Sequence, residues 1–96
     1  MVTIAADNIG RLNMKRGTKL KAPDARDVDI GRRIRAQRIV CRMSQTELGN
    51  NLGVTLQQLQ KYETGVNRVS AGRLARLAGA LNVPVSFFFG GDQVRP

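Results

Sequence analysis

The sequence predicts an all-α fold: a compact domain of five short helices with a flexible N-terminal arm. Apolar residues recur at helical spacing from about Asp27 onward, no stretch alternates as a strand does, and helix-start and helix-stop signals divide the pattern into five segments. A chain of 96 residues has room for one small domain. We expect a basic, disordered arm over residues 1–27, the helical domain over 28–89 and a short tail over 90–96.

The charge balance indicates a polyanionic partner. The chain has 16 Lys and Arg against 7 Asp and Glu, a formal net charge of +9. Residues 28–89 hold nine basic and three acidic side chains, a balance of +6, so the helical domain itself is basic. A field of this sign attracts nucleic acid first and anionic membrane second.

Residue types that support catalysis and metal binding are scarce. The chain has no histidine, the commonest general base and zinc ligand, and its one cysteine, Cys41, excludes an internal disulfide and a cysteine-based metal site. We therefore expect no enzyme activity, no cofactor and no metal. No segment reaches the ~20 apolar residues of a membrane span, and the N-terminus lacks the apolar run of a signal peptide, so we expect a cytoplasmic protein.

The first helix has one unusual residue on its apolar face. Asp27 or Asp29 can cap its N-terminus, and the pattern predicts a helix from there to about Arg42. The face that should meet the core carries Ile30, Ile34, Arg38 and Cys41. An arginine in such a row needs a partner, because a buried charge is costly when it is unpaired.

The second and third helices both open with a capping signal. In "SQTE", Ser44 stands at the N-cap and Glu47 three residues later, and "TLQQ" repeats the pattern with Thr55 and Gln58. In such a capping box each side chain satisfies a backbone N–H of the other residue. The sequence therefore predicts two capped helices in close succession.

A turn of three residues, "LGV" around Gly53, joins these two helices. Glycine tolerates the left-handed conformation that ends a helix. So short a turn prevents antiparallel packing and requires a small residue where the helices cross, which Gly49 supplies. The arrangement is a helix-turn-helix, in which the second of the two helices, over about 55–64, can enter a DNA major groove.

The third helix divides into two faces. Leu59 and Tyr62 point toward the core, since residues three apart lie on the same side of a helix. The opposite face carries Leu56, Gln57, Gln60 and Lys61.

Two further segments complete the domain. Ser70 can cap a fourth helix that runs through about Leu81, and "NVPVSFFF" predicts a short fifth helix with Pro84 near its first turn. We expect Phe88 to close the core. The other two phenylalanines either join the core or form a dimer seam, and both interpretations stay open.

From about Ile30 to Phe89 the chain resembles the Xre/Cro-type DNA-binding domain of lambdoid phage repressors. The segments that carry the resemblance are "MSQTELGNNLGVT", "LQKYETG" and "LARLAGALNVPVSFFF". Gly49 replaces the alanine that is usual at the helix crossing, at a cost of ~1 kcal/mol in helix propensity. The resemblance implies a five-helix, lambda-repressor-like fold.

The resemblance also implies a role for individual residues. Base contacts are expected from Leu56, Gln57, Gln60 and Lys61. The amide of Gln57 can bind N6 and N7 of adenine, whereas Leu56 either packs on a thymine methyl or is simply exposed. Contacts that bind phosphate or position the helix are expected from Gln45, Thr55, Asn67 and Arg68. A structural ion pair is expected between Arg38 and Glu63.

By the same resemblance, the function is sequence-specific binding of double-stranded DNA by a transcription regulator, most often a repressor, with the third helix in the major groove. We expect a homodimer on a near-palindromic operator. Two alternatives stay open: the DNA-binding antitoxin of a toxin–antitoxin pair, and a protein-interaction or coactivator module on the same fold. The polar outer face of the third helix weighs against the second alternative.

Overall fold

The computed structural model describes residues 22–91, and this part of the chain is helical throughout, without a strand. Its α-helices are α1 (Ala25–Val40), α2 (Gln45–Leu52), α3 (Leu56–Thr64) and α4 (Ala71–Leu81), followed by a 3₁₀ helix (Val85–Phe89). The prediction of an all-helical fold is confirmed for these residues. Most of the expected N-terminal arm, and the end of the expected tail, lie outside the described residues.

Helix α1 begins and ends earlier than predicted. Its N-cap is Asp24, whose Oδ1 accepts a hydrogen bond from the Arg26 backbone N–H at 2.7 Å. Asp27, one of the two expected caps, lies in the first turn instead, so residues 25–27 belong to the helical body and not to the arm. The helix stops at Val40 because Arg42 adopts a left-handed conformation with φ 59°.

The two capping signals at the centre of the chain form to different extents. In the first box Ser44 Oγ accepts from the Glu47 N–H at 3.0 Å, and Glu47 Oε1 accepts from the Ser44 N–H at 2.7 Å. At the second, Thr55 Oγ1 accepts from the Gln58 N–H at 3.0 Å, but the Gln58 side chain makes no return bond within residues 22–91. The expected second box is therefore a simple N-cap.

The predicted fifth helix is present as a 3₁₀ helix, so residues 22–91 contain four α-helices and one 3₁₀ helix. Pro84 precedes it as the N-cap, with an extended backbone at φ −71° and ψ 156°. Short segments often adopt the tighter 3₁₀ spiral. Phe88 is fully buried, Phe87 packs edge-to-face on it with ring centroids 5.7 Å apart, and Phe89 stays 60% exposed.

One face of each helix packs into the core. Its buried apolar members come from all four α-helices and the 3₁₀ helix: Ile34, Leu48, Leu52, Leu59, Tyr62, Leu74, Leu77, Ala78, Leu81 and Phe88. Helix α3 contributes Leu59 and Tyr62, as the sequence predicted. Its opposite face is thereby left outside the core. In residues 22–91 no helix has the length and apolarity that would let it cross a bilayer.

Helix α1 crosses the end of α3 with backbone against backbone. A methyl group added to Gly31 would lie 2.6 Å from the carbonyl oxygen of Glu63 and closer still to that of Tyr62. At Gly65, which ends α3 with φ +81°, a methyl group would lie 2.6 Å from Cα of Val28. Two glycines thus set the distance between the helices, and the sequence analysis identified neither contact.

An ion pair ties the same two helices together through their side chains. Arg38 Nε lies 2.6 Å from Glu63 Oε2, and Arg38 Nη2 lies 3.3 Å from Glu63 Oε1. Arg38 Nη1 also donates to the Met43 carbonyl at 2.8 Å. The two side chains are 11% and 2% exposed, so the arginine on the apolar face has its partner inside the protein.

We expect Gly31→Ala to lower the free energy of unfolding by about 2–3 kcal/mol, because the added methyl group meets backbone that cannot rotate away. The matched control is Gly79→Ala, since no heavy atom would lie within 4 Å of the added methyl group. That variant should gain up to ~1 kcal/mol from helix propensity. Thermal unfolding followed by circular dichroism separates the two, and equal melting temperatures would contradict the close approach at Gly31.

We expect Glu63→Gln to cost about 3 kcal/mol, because it leaves the Arg38 charge buried without a counter-charge. The control Asp29→Asn removes a carboxylate from an exposed pair with Arg33 and should cost less than ~0.5 kcal/mol. Urea titrations of both variants measure the difference. Two changes of similar size would show that the buried pair does not stabilise the domain.

Candidate nucleic-acid interface

The turn between α2 and α3 sets the angle of α3. Gly53 adopts φ 73° and ψ 32°, and the Val54 N–H donates to the Gly49 carbonyl at 2.9 Å. A methyl group on Gly49 would lie 3.0 Å from the Val54 carbonyl oxygen, tighter than an ordinary contact. The turn therefore folds back onto α2 at the glycine that the sequence analysis placed at the crossing.

The outer face of α3 is the part of the helix-turn-helix that is open to a partner. We define it by four residues that lie together on the exposed side, namely Leu56, Gln57, Gln60 and Lys61. The structure therefore groups the four residues for which base contacts were predicted. Gln57 and Lys61 make no side-chain hydrogen bond or ion pair within residues 22–91. Their donors and acceptors are available to a ligand.

Gln60 differs from its neighbours because its amide is already engaged. Its Nε2 donates to Gln45 Oε1 at 3.3 Å, and Gln45 Nε2 donates to Glu63 Oε1 at 3.0 Å. This chain of hydrogen bonds starts on the outer face of α3, passes through the first residue of α2 and ends on the buried ion pair. Gln45 thus braces α3, and its half-buried side chain leads from the surface to the core.

Thr55 and Asn67 lie at the two ends of α3. Thr55 caps the helix with its hydroxyl and is exposed. The Asn67 backbone N–H donates to the Lys61 carbonyl at 3.1 Å, which holds the loop after α3 against the end of the helix. Both residues therefore flank the outer face, where contacts to a nucleic-acid backbone were predicted.

Arg68 was predicted as a phosphate contact, and the structure gives it protein partners. Its Nε lies 3.1 Å and 3.3 Å from the two carboxylate oxygens of Asp27, and its Nη2 lies 3.9 Å from Asp24 Oδ2. Hydrogen bonds from the side chain and backbone of Arg26 hold the pKa of Asp24 below its usual value, and the charge of Arg68 lowers it further. The Asp24 carboxylate is therefore ionised at neutral pH.

The sequence analysis missed this pairing, since the partners lie 41 residues apart. The available signal was the presence of Asp24 and Asp27, three residues apart in a strongly basic chain. Of the other arginines in α1 and just after it, Arg32, Arg35 and Arg42 are exposed, and Arg33 donates to Asp29 at 2.8 Å.

Relatives of the chain are regulators by name. Over 69 residues it is 55% identical to an uncharacterized HTH-type transcriptional regulator of Sinorhizobium medicae, an alignment that covers 72% of this chain and 50% of the relative. It is 46% identical over 63 residues to an uncharacterized transcriptional regulator in the ATPase CF(0) region of Rhodospirillum rubrum, covering 66% of this chain and 58% of the relative. The chain spans about half the length of these curated relatives.

Solved structures with the same fold include the restriction-modification controller protein C.AhdI from Aeromonas hydrophila. Its TM-score is 0.65 at 29% identity, with 69% of this chain and 100% of that chain covered. The master regulator for biofilm formation SinR, solved in complex with DNA, has a TM-score of 0.59 at 28% identity and covers 62% of this chain and 97% of its own. Residues 34–88 match the family described as Helix-turn-helix. The predicted relationship is thus confirmed, and the chain belongs to the Xre/Cro-type helix-turn-helix family of DNA-binding domains.

Proposed function

We propose that the protein is a transcription regulator that binds double-stranded DNA sequence-specifically and inserts α3 into the major groove. The observation that carries the proposal is the outer face of α3. Its side chains are exposed, two of them are unpaired within residues 22–91, and the helix beneath them is fixed by backbone contacts and a buried ion pair. A rigid helix with free polar groups can match the pattern of donors and acceptors that base pairs display in the major groove.

Each residue of the outer face suits a different feature of the bases. Gln57 both donates and accepts, which fits N6 and N7 of adenine, and Lys61 fits the acceptors of guanine or a phosphate. Leu56 can pack on the methyl group of thymine. Gln60 would read a base while bonded to Gln45, so its orientation is the most restricted of the four.

Phosphate contacts would position α3 without specifying sequence. Gln45 begins α2, where free backbone N–H groups and the positive end of the helix dipole suit an anion. Thr55 and Asn67 flank α3 and offer short polar side chains. Arg68 supplies a positive charge in the same loop as Asn67, where its side chain pairs with Asp27.

The remaining parts of the proposal follow from the family and from exposed apolar surface. Phe89 and Val85 at the end of the domain are 60% and 40% exposed, which supports a homodimer seam. Two α3 helices related by a two-fold axis would read half-sites ~34 Å apart in a near-palindromic operator. By family analogy the regulator is a cytoplasmic repressor.

A selection from randomised duplexes at near-physiological salt tests the whole proposal. We expect enrichment of a near-palindromic consensus with half-sites one helical turn apart. A single, unrepeated half-site would contradict the dimer but not the use of α3. Absence of any enrichment over competitor DNA would overturn the DNA-binding function, and co-purification of a bound toxin would favour the antitoxin.

Two substitutions should separate base reading from positioning. Gln57→Ala removes a group that contacts one base pair, so discrimination at one position of the site should fall by about 1–3 kcal/mol. Asn67→Ala removes a proposed contact to the DNA backbone and should weaken binding to every duplex by the same factor. Binding isotherms on the selected site and its single-base variants measure both. A uniform loss for Gln57→Ala would remove that residue from the reading face.

A further inference from the structure

One corner of this basic domain is electrically neutral. Arg26 and Arg68 meet Asp24 and Asp27 there: Arg26 Nη2 lies 3.3 Å from Asp24 Oδ2, and Arg68 Nε lies 3.1 Å from Asp27 Oδ2. The corner includes the loop directly after α3, where the DNA backbone would pass. The charges of two positive and two negative side chains cancel here. An uncompensated positive charge at this place would attract the DNA backbone.

The two sides of this contact differ in exposure. The Asp27 side chain is 14% exposed and lies in the first turn of α1, whereas the Arg68 side chain is 72% exposed within the loop between α3 and α4. The positive end of the α1 helix dipole also stabilises the negative charge of Asp27. The carboxylate is therefore the fixed partner, and the guanidinium is the one that can leave at small cost, since exposed ion pairs are weak.

We propose that Asp27, helped by Asp24, is a carboxylate latch that competes with the DNA backbone for Arg68. The inference rests on the proposed function, because it assumes that this loop approaches DNA. A phosphate that approaches Arg68 meets two carboxylates within 4 Å of the same guanidinium. Arg68 must therefore leave the two carboxylates to bind the phosphate. If it binds the carboxylates and the phosphate together, the negative groups repel each other.

The latch acts on all sequences alike, because it concerns the backbone and not the bases. An arginine that is already neutralised displaces fewer counterions from DNA than a free one, so the binding constant depends less steeply on salt. Asp27 thereby weakens binding to specific and non-specific DNA sites alike. Weaker binding to non-specific sites shortens the time that the protein spends on them. The arrangement lowers overall affinity while leaving base discrimination to the outer face of α3.

The test measures binding of the full chain to a random-sequence duplex of about 24 base pairs by fluorescence anisotropy across a series of salt concentrations. We expect Asp27→Asn to bind about two- to fivefold more tightly, the range that an exposed ion pair can supply. Its plot of log K against log salt should be steeper by up to ~0.9, the value of one additional phosphate contact. The same gain should be absent when Arg68→Ala is combined with Asp27→Asn.

The matched control is Asp29→Asn, which removes the same charge from the same helix but takes the carboxylate from Arg33 rather than from Arg68. Asp24→Asn is a second variant that should gain less and keep its helix, since asparagine is also a good N-cap. If the wild-type protein binds but Asp27→Asn matches Asp29→Asn, or if its gain persists without Arg68, the latch is wrong and the proposed function stands. If no variant binds DNA even at low salt, the proposed function fails and the latch fails with it.

Discussion

The buried ion pair between Arg38 and Glu63 is the interaction on which the position of the outer face of α3 depends. It joins the last turn of α1 to the end of α3, and its remaining polar atoms bond to the Met43 carbonyl and to Gln45. A buried pair is tolerated only when such additional bonds satisfy its charges. These bonds reach α1, α2, α3 and the connection between α1 and α2, so one set of contacts holds four segments together.

What the sequence could predict was mostly local. The caps at Ser44 and Thr55 and the glycine at position 53 bond to residues three or four positions away, so their roles are visible in short motifs. The division of α3 into two faces follows from helical periodicity in the same way. The start of α1 was harder, because the segment offers three aspartates at suitable positions and only the packed helix selects Asp24.

The contacts that sequence reasoning missed join distant parts of the chain. Nothing around Gly31 indicates that its missing side chain makes room for carbonyl oxygens of α3, more than 30 residues later. The pairing of Arg68 with Asp27 likewise needs the loop and the start of α1 to be neighbours in space. Arg38 is the instructive exception: a charge on an apolar face signals a buried partner, and the family resemblance then names Glu63.

The close approach of α1 and α3 at Gly31 and Gly65 has a consequence for engineering. Where two helices meet through layers of side chains, substitutions can be absorbed by new rotamers, and the helices shift relative to each other. Here the separation is set by main-chain atoms, which have no alternative packing. Leu56, Gln57 and Lys61 take no part in these contacts, so we expect that they can be exchanged as a set while the tilt of the helix stays constant. The domain would then accept the proposed base-reading residues of another regulator at these three positions.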